Sequence, residues 1–430
     1  MKTKNCLSWG LSVLALCFSL SFNAFGQDGK PAQTEHALTT QQLITMVEHN
    51  SELKKMLVES IAKAKKTNPD KVTNPAQTLE KYYAFADWAA KALPWSILPD
   101  LPYSKLYDQI DQSLDYFYFI NDQPLPELKG KGYYNNSLQY HEPYRTWMIL
   151  FTKDWGMYLS KEGSWNDEYY NKALEDERFG LNKGWYEDPS NWKTFNQFFA
   201  RYLKSPDQRP IASPDDPSVV SSPADSKPQG VWKIDKDSNI VGKGVTIKSK
   251  VFNSIAELIG EGSAYRNAFA NGTLTHTFLD VNDYHRYHFP LGGTIKEKRI
   301  IQSDDAVGGI LTWDAKTRKY VLDANTPGWQ MIETRGCVII ETKEYGLVAL
   351  LPIGMSQVSS VNFEDAVKPG NTVKKGDMLG YFLFGGSDYV MLFQSKVGFK
   401  LTVPQESDRT YKHVLMGEKY GELKIKTKSR

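Results

Sequence analysis

The spacing of the apolar residues changes at a proline-rich stretch in the middle of this chain, and that change constrains the fold most. Six prolines lie between Pro206 and Pro228, among several Ser and Asp residues. Proline holds its φ angle fixed and lacks a backbone N–H, so the stretch predicts a loop or linker. We place the boundary between two domains at residue 206.

Before this boundary, apolar residues recur at helical spacing. They do so over residues 39–65, continue over 82–93, and include an aromatic series over 144–158. A further short helix is predicted over 192–201. An aromatic series of this kind is more often core than a binding cage. Residues 27–205 are therefore predicted to form a helical domain.

After the boundary, short runs of strong strand formers alternate with Gly, Pro, Asp and Lys-Gly turns. The predicted strands are 244–247, 319–322, 336–341, 347–351 and 389–393. A helical domain followed by a β-rich domain over 206–430 predicts an α+β protein.

The first 26 residues have the pattern of a signal peptide. Lys2 and Lys4 precede an apolar stretch over 7–22, and residues 24–26 (AFG) fit a small-x-small cleavage site. The stretch is shorter than the roughly 20 residues of a spanning helix. We expect export to the periplasm or the exterior, with a mature chain beginning near Gln27.

Charge and cysteine content limit the partners and the covalent cross-links. The net charge of +2 argues against nucleic acid as a partner. A short basic run over 424–430 suggests either a solvated end or a peripheral contact with a membrane. Removal of residues 1–26 would take away Cys6 and Cys17, so Cys337 would have no partner for a disulfide.

Three motifs carry the chemistry that we predict. They are residues 222–225 (SPAD), residues 283–290 (DYHRYHFP) and residues 385–387 (GGS). In this order they resemble the phosphatidylserine decarboxylase family, whose members cut their own chain at a Gly-Ser bond and convert the serine to a pyruvoyl group.

The resemblance implies that the chain is cut between Gly386 and Ser387, into β and α chains that stay associated. The Ser387 hydroxyl would attack the carbonyl of Gly386, and Ser387 would become the pyruvoyl group, an electron sink for decarboxylation. Gly385 and Gly386, which lack Cβ, suit the close approach that this attack needs. A bare GGS sequence by itself would more often be a hairpin turn.

The same resemblance implies roles for three further residues. His288 would be the base that activates Ser387, oriented by Asp225 as in a Ser-His-Asp arrangement. His285 would lie near the substrate and return a proton after decarboxylation.

The chain departs from the family pattern at two positions. Ser226 stands where many members have glycine, and Asp388 stands where a serine or threonine commonly follows the cleaved serine. We expect the Asp388 carboxylate either to repel the substrate's carboxylate or to point to solvent.

Two other kinds of site are compatible with parts of the sequence. His285 and His288 have the spacing of a metal-binding pair, but no further set of ligands stands out, so we expect no metal and no separately bound cofactor. Residues 367–380 also resemble the hairpin of lipoyl and biotinyl carrier domains, in which Lys374 or Lys375 would be the modified residue. A non-catalytic carrier or binding protein is thus an alternative.

Residues 155–160, 195–201 and 209–210 resemble a branch of the family with an extra N-terminal helical domain. That branch includes pyruvoyl-dependent decarboxylases of free amino acids, among them the tryptophan decarboxylase of mushrooms. The resemblance implies a free L-amino acid as substrate, and the aromatic-rich helices favour an aromatic one. Phosphatidylserine is the alternative substrate.

Overall fold

The computed structural model describes residues 36–427, apart from 97, 99–104, 243–244, 248–249, 303–308, 324–327, 355–359, 386 and 408–409. Residues 36–430 group into one compact unit. The predicted signal peptide and Gly386 lie outside the described residues. The boundary predicted at residue 206 remains a prediction.

The first half of the described chain is helical, as predicted. Its helices are α1 Leu38–Glu48, α2 Ser51–Thr67, α3 Leu79–Ala89, α4 Leu106–Phe119, α5 Tyr144–Leu159, α6 Asp167–Leu174 and α7 Phe195–Phe199. The helical pattern over 39–65 is divided between α1 and α2, because the Asn50 side chain accepts a hydrogen bond from Leu53 N and caps α2. Helix α7 is shorter than predicted, since a capping box formed by Thr194 and Gln197 starts it at residue 195. Within the described residues, no helix is long and apolar enough to cross a membrane.

The aromatic residues of these helices fill the core. Phe117 of α4 stacks on Phe151 of α5 with ring centroids 4.8 Å apart, and Trp165 stacks on Phe198 at 3.9 Å. Trp155 is fully buried and donates its indole N–H to Ala92 O at 2.7 Å. The prediction that this aromatic series is core is confirmed.

The second half is β-rich, and the α+β class is confirmed. Its strands are β1 Val219–Ser221, β2 Lys227–Lys233, β3 Val245–Ile247, β4 Lys250–Phe252, β5 Thr273–Leu279, β6 Arg286–His288, β7 Gly293–Ile301, β8 Ile310–Asp314, β9 Lys319–Asp323, β10 Thr334–Thr342, β11 Gly346–Gly354, β12 Val361–Phe363, β13 Thr372–Val373, β14 Met378–Phe382, β15 Ser387–Phe393, β16 Val397–Leu401, β17 Gln405–Ser407, β18 Thr410–Tyr411 and β19 Lys419–Ile425. A short helix, α8 Ile255–Ile259, precedes β5. Each of the five predicted strands coincides with one of these.

The largest sheet of the described chain has seven strands in the order β13-β7-β10-β11-β15-β5-β2, and its pairs are antiparallel. Strand β15 is buried on both faces, because Tyr389, Met391 and Phe393 join one hydrophobic cluster while Val390 and Leu392 join another. A smaller sheet, β12-β14-β6, carries the histidine motif. Strand β14 leads directly into the Gly-Gly-Ser segment.

Helix α4 connects the helical half to the β-rich half. The Gln112 side chain donates to Tyr320 O at 3.0 Å and accepts from Tyr320 N at 2.6 Å, as a third strand partner would. Near the start of the helix, the Tyr107 hydroxyl donates to Asp280 Oδ2 at 2.7 Å. These bonds hold α4 against β9 and the end of β5.

Candidate active site

Ser387 is the first residue of β15 and lies between two neighbouring strands. Its Cα partners are Gly354 of β11 and Leu279 of β5. The residue is fully buried, and in the part of the chain that the structure describes its Oγ atom has no hydrogen-bond partner. An unpaired buried hydroxyl costs about 1–3 kcal/mol, which a protein tolerates mainly where the group has a chemical task. Gly385 has a φ of 144°, a conformation that favours glycine.

His285 lies beside the segment that leads into Ser387. Its ring stacks on Phe199 with centroids 3.7 Å apart, and Phe199 also packs against Phe384 at 5.3 Å. The His285 carbonyl accepts from Phe382 N at 2.9 Å. Both ring nitrogens are buried, and within the described residues neither makes a hydrogen bond of ordinary geometry. Burial, followed by the charge of Arg201, lowers the pKa of His285 well below its usual value, against a smaller raising effect of the Asp283 backbone. The imidazole is therefore neutral near pH 7.

His288 is held in one tautomer by its two hydrogen bonds. Nδ1 lies 2.8 Å from Gly376 O, and a carbonyl can only accept, so Nδ1 carries the proton. Nε2 is then the basic nitrogen and accepts from the Tyr284 hydroxyl at 3.2 Å. Burial lowers the pKa of His288 to about 4, so it too is neutral near pH 7.

Asp225 does not orient His288 as the resemblance implied. Its carboxylate binds Arg209 through both oxygens, with Nε–Oδ1 at 2.9 Å and Nη2–Oδ2 at 2.6 Å. Oδ1 also accepts from Met416 N at 2.7 Å. The orienting partner of His288 is the Gly376 carbonyl, and Asp225 acts on His288 only through its charge. The predicted Asp225–His288 hydrogen bond is wrong for this conformation of the uncut chain.

The predicted hydrogen bond between Ser387 and His288 is likewise not formed, since Ser387 Oγ has no partner. His288 pairs with Met378, at the start of β14, whereas Phe382, at its end, bonds to His285. Tyr287 lies two residues after His285, and its ring contacts that of Tyr389 at 5.9 Å. Alternate residues of an extended chain lie on the same face, so His285 and Tyr287 share a face. The contact between Tyr287 and Tyr389 therefore turns the His285 face of the motif toward β15.

Ser226 and Asp388, the two residues that depart from the family pattern, are both buried. Asp388 is fully buried, so the expectation that its carboxylate points to solvent is wrong. Its carboxylate lies 3.0 Å from His276 Nδ1 and accepts from Gln330 Nε2 at 3.2 Å. The Ser226 hydroxyl accepts from Thr277 Oγ1 at 2.7 Å. Both side chains stabilise the strands around the site.

Two residues that position the site, Arg209 and Asn196, were not predicted from the sequence. Arg209, noted only as part of the resemblance, is the buried partner of Asp225. Asn196 Oδ1 accepts from Phe384 N at 2.9 Å, and its amide donates to Ser160 Oγ at 2.7 Å. The sequence signal for the role of Asn196 was its position inside a short aromatic helix, because a buried side-chain amide needs hydrogen-bond partners.

The alternative sites receive little structural support. Lys375, a candidate for carrier modification, is buried and donates to the carbonyls of Ser213 and Asp216, each at 2.7 Å. Within the described ranges, no group of three or more His, Cys, Asp or Glu side chains could hold a metal ion. Cys337 is a buried free thiol of β10.

The family model described as phosphatidylserine decarboxylase matches residues 195–422, more than half of the chain. The chain belongs to the phosphatidylserine decarboxylase family. The matched range includes Asp225, His285, His288 and Ser387, whereas helices α1 to α6 lie outside it.

Three relatives illustrate the range of this family. Phosphatidylserine decarboxylase proenzyme 2 of rice is 34% identical over 226 residues, which are 52% of this chain and 33% of the rice protein. The decarboxylase iboD of the mushroom Amanita muscaria is 28% identical over 58% of this chain and 77% of its own length. The phosphatidylserine decarboxylase proenzyme of Fusobacterium nucleatum is 29% identical over 64% of this chain and 84% of its own length. The chain thus spans a third of the rice protein but most of the other two.

The Asp225–Arg209 pair generates a prediction about stability. In a Ser387→Ala background, which keeps every chain uncut, Asp225→Asn leaves the Arg209 charge buried and poorly compensated. We expect the free energy of unfolding, measured by denaturant titration, to fall by about 3–5 kcal/mol.

The matched control is Asp207→Asn, an exposed change two residues from Arg209, which should alter the free energy by less than about 0.5 kcal/mol. Replacing both partners, with Arg209→Met and Asp225→Leu, should cost less than Asp225→Asn alone. Unchanged stability in Asp225→Asn would contradict a role through Arg209.

Proposed function

We propose that this chain is a self-processing, pyruvoyl-dependent decarboxylase that removes the α-carboxylate of a free L-amino acid as carbon dioxide and leaves the amine. The observation that carries the proposal is the buried, unpaired Ser387 hydroxyl, which follows a glycine-permitted turn at the start of a central strand. We further propose that residues 1–26 direct export and that the enzyme acts outside the cytoplasm.

Processing needs an attack by Ser387 on the peptide bond before it. Oγ forms a bond to the carbonyl carbon of residue 386 while the peptide C–N bond breaks, which gives an ester and a free amine. Loss of the Cα proton then breaks the Cβ–O bond and releases the upstream chain as a carboxylate. Tautomerisation and hydrolysis consume one water, release ammonia and leave the pyruvoyl group at position 387.

The residues around Ser387 fit the formation and the use of such a group. Neutral histidines can accept a proton, and the basic Nε2 of His288 accepts a hydrogen bond from the Tyr284 hydroxyl. The pyruvoyl carbonyl would supply the electron sink that decarboxylation requires. We propose that His285, whose ring stacks on Phe199, returns the proton after decarboxylation, and the packing of Phe199 against Phe384 supports a position near the residue-387 segment.

The first prediction from this proposal is self-cleavage before residue 387. Intact-mass measurement of the purified protein should show two fragments, with the C-terminal one beginning with a pyruvoyl group. Ser387→Ala should remain a single, inactive chain, because it lacks the attacking oxygen. A wild-type chain that stays whole would overturn the proposal, and a cut in Ser387→Ala would reveal an external protease.

The second prediction concerns the pH dependence of self-cleavage. A base with a pKa of about 4 stays unprotonated as the pH falls through 6.5, where an ordinary histidine would gain its proton. The cleavage rate should therefore hold through that range and decline only as the pH approaches 4. Protein from cell-free synthesis, transferred to buffers of defined pH and followed on denaturing gels, supplies the rates.

Circular dichroism over the same pH range separates loss of the base from acid unfolding. His288→Gln should be cut much more slowly than wild type at every pH. A midpoint near 6.5 in the wild-type profile would rule out a buried histidine as the base.

Phosphatidylserine is the second candidate substrate, because the family and two of the relatives above have phosphatidylserine decarboxylase in their names. This chain covers 77% of the decarboxylase iboD from Amanita muscaria. The name of that protein states no substrate, so it favours neither a free amino acid nor a phospholipid. The aromatic rings of the helical half pack against one another, so they give no specific support to an aromatic substrate.

The third prediction decides between these candidates. We expect the cleaved enzyme to release carbon dioxide from at least one free L-amino acid in a panel of twenty, and not from phosphatidylserine in detergent micelles. Ser387→Ala serves as the blank for both assays. Turnover of phosphatidylserine alone would replace the substrate and leave the processing mechanism intact.

A further inference from the structure

Arg201 is a buried cation whose hydrogen bonds go to neutral groups. It lies two residues after the end of α7, and the residue is 0% exposed. Its guanidinium carbon lies 4.4 Å from the ring centroid of Tyr186. Within the described part of the chain, the acceptors of its N–H groups are the Tyr186 hydroxyl at 3.4 Å and the carbonyls of Phe198, Asn282 and Asp283 at 3.3, 2.8 and 3.1 Å. A buried cation normally has a carboxylate beside it, so Arg201 needs an explanation.

Among the described residues, no carboxylate bonds to Arg201 and neutralises its charge. Arg209, eight residues further along, shows the usual arrangement, since its guanidinium binds both oxygens of Asp225. Asp283 offers Arg201 only its carbonyl, because its carboxylate is held elsewhere. Oδ1 lies 2.8 Å from His413 Nε2, and Oδ2 accepts from a backbone N–H at 2.8 Å.

The segment that ends with Arg201 contacts the His285 region at two points. Phe199 stacks on the imidazole ring with centroids 3.7 Å apart. Two residues further on, the Arg201 guanidinium donates to the carbonyls of Asn282 and Asp283, which precede His285 by three and two residues. The ring and the turn that carries it are therefore held by the same short stretch of chain.

The Asp283 carbonyl lies between Arg201 and His285. Burial and then the charge of Arg201 lower the pKa of His285, and a contact with the Asp283 backbone raises it by a smaller amount. The ring makes no hydrogen bond of ordinary geometry in the described residues, whereas Arg201 Nη2 bonds to this carbonyl at 3.1 Å. A charged donor binds a carbonyl more strongly than a neutral ring N–H does. Arg201 therefore sets the direction of the carbonyl and leaves the imidazole unpaired.

The proposed reaction needs one proton to be removed and one to be returned. The α-ammonium of the substrate must lose a proton before its nitrogen can attack a carbonyl, and the α-carbon must gain one after carbon dioxide leaves. A neutral imidazole without a partner can accept the first proton. A cation beside the ring makes its protonated form a stronger acid, which favours the second transfer.

We propose that Arg201 is a positioning residue for His285. Its guanidinium holds the Asp283 carbonyl and places a positive charge beside the ring, so that the ring nitrogens stay available to the substrate. This inference rests on the proposed decarboxylation, and it concerns the α-amine and α-carbon that a free amino acid and phosphatidylserine share. Arg201 then acts in decarboxylation and not in self-cleavage, for which His288 is the proposed base.

The first test separates decarboxylation from self-cleavage. Arg201→Met removes the charge and the donors but keeps a long side chain. It should cut itself within about threefold of the wild-type rate, whereas kcat for decarboxylation should fall by about 10- to 100-fold with KM within about threefold. The substrate is the compound that the wild type turns over fastest, among twenty L-amino acids and phosphatidylserine in micelles.

Two further variants are the controls for this test. Arg201→Lys keeps the positive charge and should have a kcat at least about threefold above that of Arg201→Met. Lys204→Met removes an exposed charge three residues away and should change neither cleavage nor kcat. A wild-type kcat in Arg201→Met would overturn the inference, and so would an equal loss of cleavage and decarboxylation.

A second measurement does not depend on processing or activity. In Ser387→Ala, NMR of ¹⁵N-labelled histidine reports the charge of each imidazole, and the signal that is lost in His285→Gln identifies His285. Adding Arg201→Met should raise the pH at which this ring gains its proton, because a repelling charge is removed and the Asp283 carbonyl becomes free to accept from the ring. An unchanged titration would overturn the inference, whether or not the wild type cuts itself.

Near-UV circular dichroism of the Ser387→Ala proteins shows whether each variant is folded. If Arg201→Met does not fold, Arg201→Gln takes its place, since it removes the charge but keeps an amide donor. The same separation of kcat from cleavage is expected. Failure of both neutral variants to fold would give Arg201 a purely structural role and overturn the inference.

Discussion

The position of strand β15 between β11 and β5 is the constraint on which the site depends. Both ladders begin at Ser387, so the proposed cut would fall at the start of a strand that is hydrogen-bonded on both sides. A new chain end normally frays because it regains conformational entropy. Here the next residue, Asp388, is bonded to His276 and Gln330, which would keep position 387 in register after the proposed cut.

Burial acts on the charged groups of this core in two opposite ways. It keeps His285 and His288 neutral, because a charged imidazole would lose its hydration, and their lowered pKa values follow from that. Asp225 is also buried but keeps a cation, Arg209, in direct contact. Asp108 of α4 likewise keeps two cations, Arg178 and Lys319, in direct contact.

Much of the fold follows from local patterns that sequence displays directly. The helical periodicity over 144–158 and the strand-forming run over 389–393 correspond to α5 and β15 almost residue for residue. Helix ends were harder to predict: the division at Asn50 and the start of α7 at Phe195 depend on single capping side chains. Asp388 was misjudged because a carboxylate is usually exposed, and its partners come from 58 and 112 residues away.

The sequence by itself determined the family, because the family motifs depend on residue types at short, fixed spacings. The reacting serine and the two histidines that would serve it remain predictions from the same motifs. Only the tertiary structure decided the pairings: Asp225 with Arg209, His288 with the Gly376 carbonyl, and Asp280 with the Tyr107 hydroxyl of α4. Hydrogen bonds form between groups within about 3 Å, and that proximity is set by the packing of strands and helices distant in the chain. For this reason the type of chemistry can be predicted from the sequence, whereas the hydrogen-bond partners of the site residues cannot.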